Sequence, residues 1–284
     1  MDTISLCLLR GICQIPAYVA HDKGFFRDAG IDAHLNIEPT AWMVPEKLLS
    51  GRAHFAVIPW TRVAAAAQDE ARMVLVAGSG CEEAAMVLRA GVAPSAVRRI
   101  AIPQRGGIKD LTAMGLIDSL GWQDAELVRL PSGDGAIIAL FGRGADAASM
   151  VEPFATMLSS LGAGTVIRRT GDLWPGAPGC SLTTTAALRD RAPELVQRVV
   201  SAFVRGADYA LEHRDEAAEL SARYIGVGAL FVRQALEVNR PDVNAIRNRE
   251  AMDGILSLMT SLGYVERRPE GYCDLRFLDA ATAR

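Results

Sequence analysis

The 284-residue sequence contains no apolar run that approaches the roughly 20 residues needed to span a bilayer. It also has no excess of basic residues, because 30 Lys and Arg stand against 33 Asp and Glu, for a net charge of −3. A nucleic-acid partner would require a surplus of Lys and Arg to neutralise its phosphates. The sequence therefore predicts no direct membrane insertion and no nucleic-acid partner.

Cysteine and histidine are scarce as well. The five cysteines are odd in number and match no metal-binding spacing, and the four histidines are scattered along the chain. Motifs of the P-loop, strand-linked GxGxxG, GxSxG and HExxH types are absent. We therefore predict no metal site, no cofactor and no disulfide framework, with most cysteines serving as small buried apolar side chains.

The amino terminus lacks the basic segment and the cleavage pattern of a secretory leader. Two locations follow as alternatives. The protein is expected to be cytoplasmic if Met1 is the native start, and periplasmic if a leader was removed.

Half of the residues are hydrophobic and 22% are charged, which is enough for a sizeable core. Short apolar segments alternate with helical patterns of roughly ten residues, and this alternation is typical of mostly parallel sheets with right-handed crossovers. The predicted strands cover residues 4–9, 32–37, 55–58, 73–77, 84–88, 100–103, 126–130, 147–151, 165–169 and 181–185.

Residues 135–155 match residues 45–60 in order, since each stretch runs through a helix, a Gly-Arg turn, an apolar strand and a proline. This internal match indicates two lobes built on a similar plan. The Pro- and Gly-rich residues 172–179 mark a return crossing. We predict lobe one at residues 1–84 and 180–284, lobe two at residues 85–179, and a hinge with two crossings.

Five segments together carry a family resemblance: residues 17–20 (AYVA), 23–26 (KGFF), 30–31 (GI), 48–56 and 146–155. In this order they resemble the nitrate, sulfonate and taurine-type solute-binding proteins of ABC transporters. This superfamily also includes pyrimidine precursor synthases and an aromatic desulfinase. The resemblance implies a two-lobed, periplasmic-binding-protein-like α/β fold of type II, a small-molecule ligand between the lobes, and an ABC permease as partner. The cysteine-rich iron-binding motif of the precursor synthases is absent.

A glycine-containing loop follows a predicted strand and opens a helix. Free N–H groups at such a helix start favour an oxyanion, and the side chains of Arg105 or Lys109 add a charge-assisted bond. The alternative is a plain glycine turn with cations facing solvent. The candidate ligand-binding residues here are Gln104, Arg105, Gly106, Gly107 and Lys109.

Cys13 and Gln14 lie in the loop after the first strand, which faces the ligand in the resembling family. Gln14 is a candidate hydrogen-bonding group for a polar ligand. Cys13 is a candidate ligand contact, and a nucleophile if the protein is an enzyme. The alternative for Cys13 is a small buried side chain.

Four further side chains are candidate ligand contacts. Trp42 and Trp60 follow strands, where an indole ring can stack on a heteroaromatic ligand or pack between lobes. Ser79 follows another strand and is a secondary candidate. Glu152 ends a strand, where its carboxylate can bind an amino group or cap the helix that follows.

The function predicted from these features is capture of an anionic or heteroaromatic solute (sulfonate, nitrate, carboxylate or pyrimidine-like) between two lobes. One alternative is a cytosolic desulfinase- or lyase-like enzyme on the same scaffold, with Cys13 as its nucleophile. Another is a ligand sensor that contacts a regulatory partner.

Overall fold

The computed structural model describes residues 1–68, 70–105, 108–130 and 133–283. Ten strands form two five-stranded sheets. The strands of the first sheet are β1 (Asp2–Leu8), β2 (Ile31–Ile37), β3 (Phe55–Pro59), β4 (Met73–Gly78) and β10 (Cys180–Thr185), and those of the second are β5 (Ala84–Arg89), β6 (Arg99–Pro103), β7 (Glu126–Leu130), β8 (Ala147–Val151) and β9 (Gly164–Arg169).

The two sheets have the same plan. The first has the strand order β2-β1-β3-β10-β4, and the second has the order β7-β6-β8-β5-β9. In the first sheet β10 runs against its neighbours β3 and β4, and in the second β5 runs against β8 and β9. The other four strands of each sheet point in one direction. We call the part built on the first sheet lobe one and the part built on the second lobe two.

Helices cover both faces of the sheets. They are α1 (Ile15–Asp22), α2 (Phe25–Asp28), α3 (Val44–Leu49), α4 (Trp60–Ala66), α5 (Ile108–Ser119), α6 (Gly133–Phe141), α7 (Phe154–Ser160), α8 (Ala186–Arg191), α9 (Pro193–Glu212), α10 (Arg214–Ile225), α11 (Ala229–Val238), α12 (Arg249–Ser261) and α13 (Arg276–Thr282). No helix among the described residues has both the length and the apolar sequence to cross a membrane.

Alternation along β1 shows how the first sheet is buried on both sides. Ile4, Leu6 and Leu8 belong to the core shared with α1 and α9, whereas Cys7 belongs to the core shared with α4 and α12. Successive side chains of a strand point to opposite faces, so one strand supplies both cores. The second sheet likewise lies between two apolar clusters.

The sequence of residues 16–26 (PAYVAHDKGFF) predicts one helix, but the structure has two, α1 and α2. Gly24 adopts a left-handed conformation with φ of 78°, which ends α1 and starts α2. Glycine reaches this region at little cost, since it has no Cβ. The short helices α8 and α13 were not predicted from the sequence.

The lobes are joined by two crossing segments, residues 79–83 and 173–179. The segments pair with each other through backbone hydrogen bonds. The N–H of Glu82 donates to the carbonyl of Ala177 at 2.8 Å, and the N–H of Gly179 donates to the carbonyl of Gly80 at 2.9 Å. This confirms the predicted two-crossing hinge. The residue boundaries of the lobes stay a prediction.

Asp146 anchors the strand ends of lobe two at a point remote from the hinge. Its Oδ1 accepts a hydrogen bond from Arg89 Nη2 at 2.9 Å, and its Oδ2 accepts from the backbone N–H groups of Arg98 and Arg99, each at 3.0 Å. Burial by itself raises the pKa of this carboxyl, but the hydrogen bonds and the Arg89 charge outweigh it, so the pKa is lowered overall.

We expect Asp146→Asn to lower the free energy of unfolding by about 1.5–3 kcal/mol at pH 7, the range for hydrogen bonds to a charged group. A carboxyl with a lowered native pKa stabilises the fold above its unfolded pKa of about 3.9, and this contribution is lost as pH falls through the native pKa. Urea unfolding should therefore show a difference in free energy between the parent and Asp146→Asn that is smaller at acid pH than at pH 7. A difference independent of pH would contradict this account, and the exposed Asp124→Asn serves as the charge control.

Candidate functional site

A cavity of about 340 Å³ lies between the two lobes. Its walls follow the carboxyl ends of β1, β2, β3, β6 and β8, which is where open α/β sheets bind their ligands. Lobe one contributes Leu9, Arg10, Cys13, Trp42, Arg62 and Cys180, and lobe two contributes Gln104, Lys109, Val151 and Phe154.

Another cavity, of about 390 Å³, lies in lobe one beside Leu48, His54 and Arg191. This cavity lies at the opposite edge of the first sheet, where β3 and β4 begin and β10 ends. The interlobe cavity is the stronger candidate, because it alone of these two combines both lobes with the carboxyl ends of parallel strands.

Arg62 is the most informative side chain of the interlobe cavity. It lies in the first turn of α4, directly after β3, and its Nε is buried without a hydrogen-bond partner among the described residues. Burial lowers the pKa of its guanidinium, and the charge of Asp110 opposes this shift. Arginine nevertheless remains a cation at neutral pH, since its ordinary pKa lies so high. A cation with a buried, unused donor is suited to bind an anion.

Thr40 supplies a second unused polar atom. Its Oγ1 is buried without a hydrogen-bond partner in the described part of the chain, and the residue lines the same cavity. Trp42, two residues later, is 56% exposed and also lines the cavity. The loop after β2 therefore offers both a hydroxyl and an aromatic face.

The charge of the lining is mainly positive. Among the described residues of the wall, the cations are Arg10, Arg62 and Lys109, and the one acidic side chain is Glu83. Lys109 lies in the first turn of α5, where its carbonyl accepts a hydrogen bond from Ser149 at 3.1 Å. This balance favours an anionic occupant.

Three buried side chains converge where the crossing segments meet lobe one. Cys13 Sγ, a carboxylate oxygen of Glu83 and Cys180 Sγ all lie within 4.8 Å of one another. Burial raises the pKa of the Cys13 thiol and of the Glu83 carboxyl. The pKa of Cys180 is raised by its hydrogen bond to Cys13 and by burial.

Gln14 and Ser79 hold Cys13 in place. Gln14 Nε2 donates to Cys13 Sγ at 3.1 Å, while Gln14 Oε1 accepts from the N–H of Leu9 at 3.1 Å. The hydroxyl of Ser79 donates to the carbonyl of Cys13. Both side chains are fully buried, so these contacts position the loop after β1.

Some of the candidate residues predicted from the sequence line the interlobe cavity, and others have different surroundings. Cys13, Trp42, Gln104 and Lys109 line the cavity together. Gly106 and Gly107 lie outside the described residues. The role of each in ligand binding stays a prediction.

Trp60 and Arg105 have other partners. Trp60 is completely buried, and its Nε1 donates to the carbonyl of Pro178 at 2.9 Å, so it packs lobe one against a crossing segment. Arg105 donates from Nη2 to the carbonyl of Leu262 at 2.6 Å, and its guanidinium lies 4.4 Å from the ring centroid of Tyr264.

Glu152 is almost completely buried and forms a network of its own. Its Oε1 pairs with Arg169 Nη1 at 2.7 Å, its Oε2 accepts from the N–H of Thr156 at 2.9 Å, and its carbonyl accepts from the N–H of Ile12 at 3.1 Å. The carboxylate thus pairs with Arg169 and caps α7, and the backbone bond joins the two lobes.

We expect Glu152→Gln to lower the free energy of unfolding by about 1.5–3 kcal/mol, because a charged hydrogen-bonded pair is lost. Anion affinity should change little, since both carboxylate oxygens already have protein partners. Urea unfolding and ligand titration of the same variant separate these two effects. Lost affinity with unchanged stability would instead identify Glu152 as a ligand contact.

Arg62, Glu83 and Cys180 were missed by the sequence reading. Arg62 follows a predicted strand by four residues, a spacing that marks it as a side chain at the carboxyl edge. Cys180 and Glu83 carry no comparable local signal, because their meeting depends on the two crossing segments.

The fold is that of the two-lobed periplasmic-binding-protein class, as predicted. Solved structures with this fold include the ligand-binding component of an ABC-type import system from Staphylococcus aureus with zinc bound, which is 16% identical, with 100% of each chain covered and a TM-score of 0.86. The alkanesulfonate-binding protein of Xanthomonas axonopodis pv. citri bound to MOPS is 13% identical, with 95% of this chain and 96% of that chain covered and a TM-score of 0.79. The periplasmic nitrate-binding protein of Synechocystis PCC 6803 is 14% identical, with 93% and 82% covered and a TM-score of 0.78.

The chain belongs to the NMT1-like family, whose model matches residues 2–226. No curated protein sequence matches the chain. At identities below 25%, the likeness to the solved structures establishes the fold.

Proposed function

We propose that this protein is a solute-binding protein that captures a small organic anion between its lobes and delivers it to an ABC permease. The observation that carries the proposal is the half-buried Arg62 side chain, which lines the interlobe cavity and whose buried Nε has no hydrogen-bond partner among the described residues. The similarity in fold to proteins described as alkanesulfonate-binding and nitrate-binding supports the same class of ligand.

The size of the cavity favours an anion with an organic substituent. A volume of about 340 Å³ is several times that of a water molecule in the liquid, about 30 Å³. Bare nitrate would leave most of this space unfilled. Leu9, Trp42, Val151 and Phe154 supply apolar wall for the substituent. Sulfonates and carboxylates with a short aliphatic or aromatic group therefore fit better than nitrate or a neutral aminopyrimidine.

Binding between the lobes couples capture to closure. A ligand that contacts Arg62 on lobe one and Lys109 on lobe two makes both contacts only when the lobes are together. A permease then has a closed shape to recognise. This role requires the protein to lie outside the cytoplasmic membrane, and cell fractionation tests that requirement directly.

The geometry supports binding over catalysis by Cys13. Burial raises the pKa of its thiol, and the thiolate is the nucleophilic form. Glu83, the neighbouring carboxyl, raises it further by its charge.

The test is a thermal-shift screen combined with native mass spectrometry. The panel contains alkyl and aryl sulfonates, matching carboxylates, nitrate, aminopyrimidines, and the neutral sulfonamide of each sulfonate. We expect an organic anion to bind with 1:1 stoichiometry, and at 100 times its Kd to add about 2.7 kcal/mol to the free energy of unfolding. Its neutral sulfonamide should add far less. Failure of every anion, or equal binding of anion and neutral analogue, would overturn the proposal.

A further inference from the structure

We propose that Cys13, Glu83 and Cys180 form a binding site for a soft divalent cation, Zn²⁺, at the hinge side of the interlobe cavity. The three ligand atoms come from three separate segments and lie within 4.8 Å of one another, and all three residues are buried. This site lies in the same cavity as Arg62 and Lys109 but uses different side chains.

The donor set fits zinc. Two thiolates and one carboxylate are ligands that Zn²⁺ accepts, with bonds of about 2.3 Å to sulfur and about 2.0–2.2 Å to oxygen. Tetrahedral angles then place neighbouring ligand atoms about 3.5–3.8 Å apart. The observed cluster needs to contract by only about 1 Å to reach that arrangement. Two sulfur ligands also select against Mg²⁺ and Ca²⁺, which prefer oxygen.

Glu83 is a buried carboxyl next to the two cysteines. It is 5% exposed, and it forms no ion pair with any of the described residues. A buried carboxyl of this kind is neutral in the metal-free protein and loses its proton when it binds a metal ion. Its Oε1 accepts a hydrogen bond from the N–H of Cys180 at 2.6 Å, which ties the carboxylate to the second cysteine.

Two glycines of the crossing segments make room for the Glu83 carboxylate. A Cβ added at Gly80 would lie 2.1 Å from Glu83 Oε1, and one added at Gly179 would lie 2.1 Å from Glu83 Cδ. The two crossing segments therefore contact the carboxylate from both sides. A ligand atom held in this way is preorganised for a metal ion.

The remaining geometry resembles an open metal site more than a closed one. Gln14, held by the N–H of Leu9, donates to Cys13 Sγ and orients it, as supporting residues do for metal ligands. Cys13, Glu83 and Cys180 all line the cavity, so a fourth position faces the space where a solute or water would lie. Open zinc sites keep such a position.

The experiment measures metal binding by the full-length chain after chelation and under a phosphine reductant. Zn²⁺ affinity is determined by competition with a chromophoric chelator, and stoichiometry by elemental mass spectrometry. Co²⁺ is added in parallel, since thiolate ligands give it a near-ultraviolet charge-transfer absorption. We expect one equivalent of Zn²⁺ and a thiolate–cobalt band in the parent protein.

Cys13→Ser, Cys180→Ser and Glu83→Gln should each weaken Zn²⁺ binding by more than the roughly 10- to 100-fold that loss of a supporting residue costs. Each cysteine variant should also lower the cobalt band. Cys7→Ser is the matched control, because Cys7 is equally buried and lies 3.6 Å from a carboxylate oxygen of Glu38 but outside the cluster. It should leave both readouts unchanged.

Two results would overturn the proposal. One is the absence of both Zn²⁺ uptake and a thiolate–cobalt band in the parent protein. This result does not depend on whether any variant folds. The other is uptake that survives in Cys13→Ser and Cys180→Ser or that is lost equally in Cys7→Ser. Anion binding by the metal-free protein is measured separately, so failure of the metal site and failure of the proposed function are distinguishable.

Discussion

Arg62→Met is expected to raise the Kd for the organic anion at least about 30-fold, because truncating one partner of a buried charge pair costs about 2–5 kcal/mol. The Arg62 side chain lies at the start of α4, and its buried Nε has no hydrogen-bond partner among the described residues, so it is available to the ligand. Methionine preserves much of the apolar stem and removes the charge. Isothermal titration with the anion identified by the screen measures the effect.

Arg62→Lys separates charge from geometry. Lysine keeps the positive charge but lacks the planar fork that binds an oxyanion through two parallel bonds. The affinity of Arg62→Lys for the anion should fall between those of the parent and Arg62→Met. Arg52→Met, a change at an exposed arginine of lobe one, should bind normally. Normal binding by Arg62→Met itself would place the anion elsewhere.

Asp110→Ala is expected to lower the free energy of unfolding by about 3–6 kcal/mol, because it removes two hydrogen bonds to a buried carboxylate, each worth about 1.5–3 kcal/mol. Asp110 is completely buried on α5, and its Oδ1 pairs with Arg129 Nη1 at 2.7 Å. Its Oδ2 accepts a hydrogen bond from the hydroxyl of Tyr264, which follows α12. The carboxylate therefore ties α5 and β7 of lobe two to the segment after α12.

Burial, followed by the hydrogen bond to Asp110, raises the pKa of Tyr264 to about 12. The phenol consequently keeps its proton and continues to donate throughout the physiological pH range. Tyr264→Phe should cost about 1.5–3 kcal/mol, less than Asp110→Ala, since it removes one hydrogen bond to the charged carboxylate and leaves the pairing with Arg129 in place.

The midpoint of urea unfolding measures both changes. Asp118→Ala is the matched control, because it removes an exposed aspartate from the same helix. It should remain within about 0.5 kcal/mol of the parent. If Asp110→Ala were as mild as Asp118→Ala, the buried ion pair would contribute little to stability.

The alternation of strands and helices could be predicted from local pattern. The strand predicted at 126–130 matches β7, and the strand predicted at 147–151 matches β8. Each element has its own periodic pattern of apolar residues, so it can be identified as a strand or a helix without knowing which distant residues it contacts. The split at Gly24 could not be predicted in the same way, because its apolar neighbours continue the helical period across the break.

The candidate site was predictable only in part. Cys13, Trp42, Gln104 and Lys109 each follow a strand, and their common edge follows from parallel topology. The packing of Trp60 against Pro178 and the pairing of Glu152 with Arg169 depend on contacts far apart in sequence. The same holds for Cys13, Glu83 and Cys180, which no spacing in the sequence brings together.

The pairing of the two crossing segments limits how the lobes can move. Hydrogen bonds join Glu82 to Ala177 and Gly179 to Gly80, and Cys81 forms an isolated bridge with Pro178. We expect relative motion of the lobes to bend both segments together, since bending keeps these hydrogen bonds whereas sliding one segment past the other breaks them. Such a motion would bring the two walls of the cleft back to the same register on each closure.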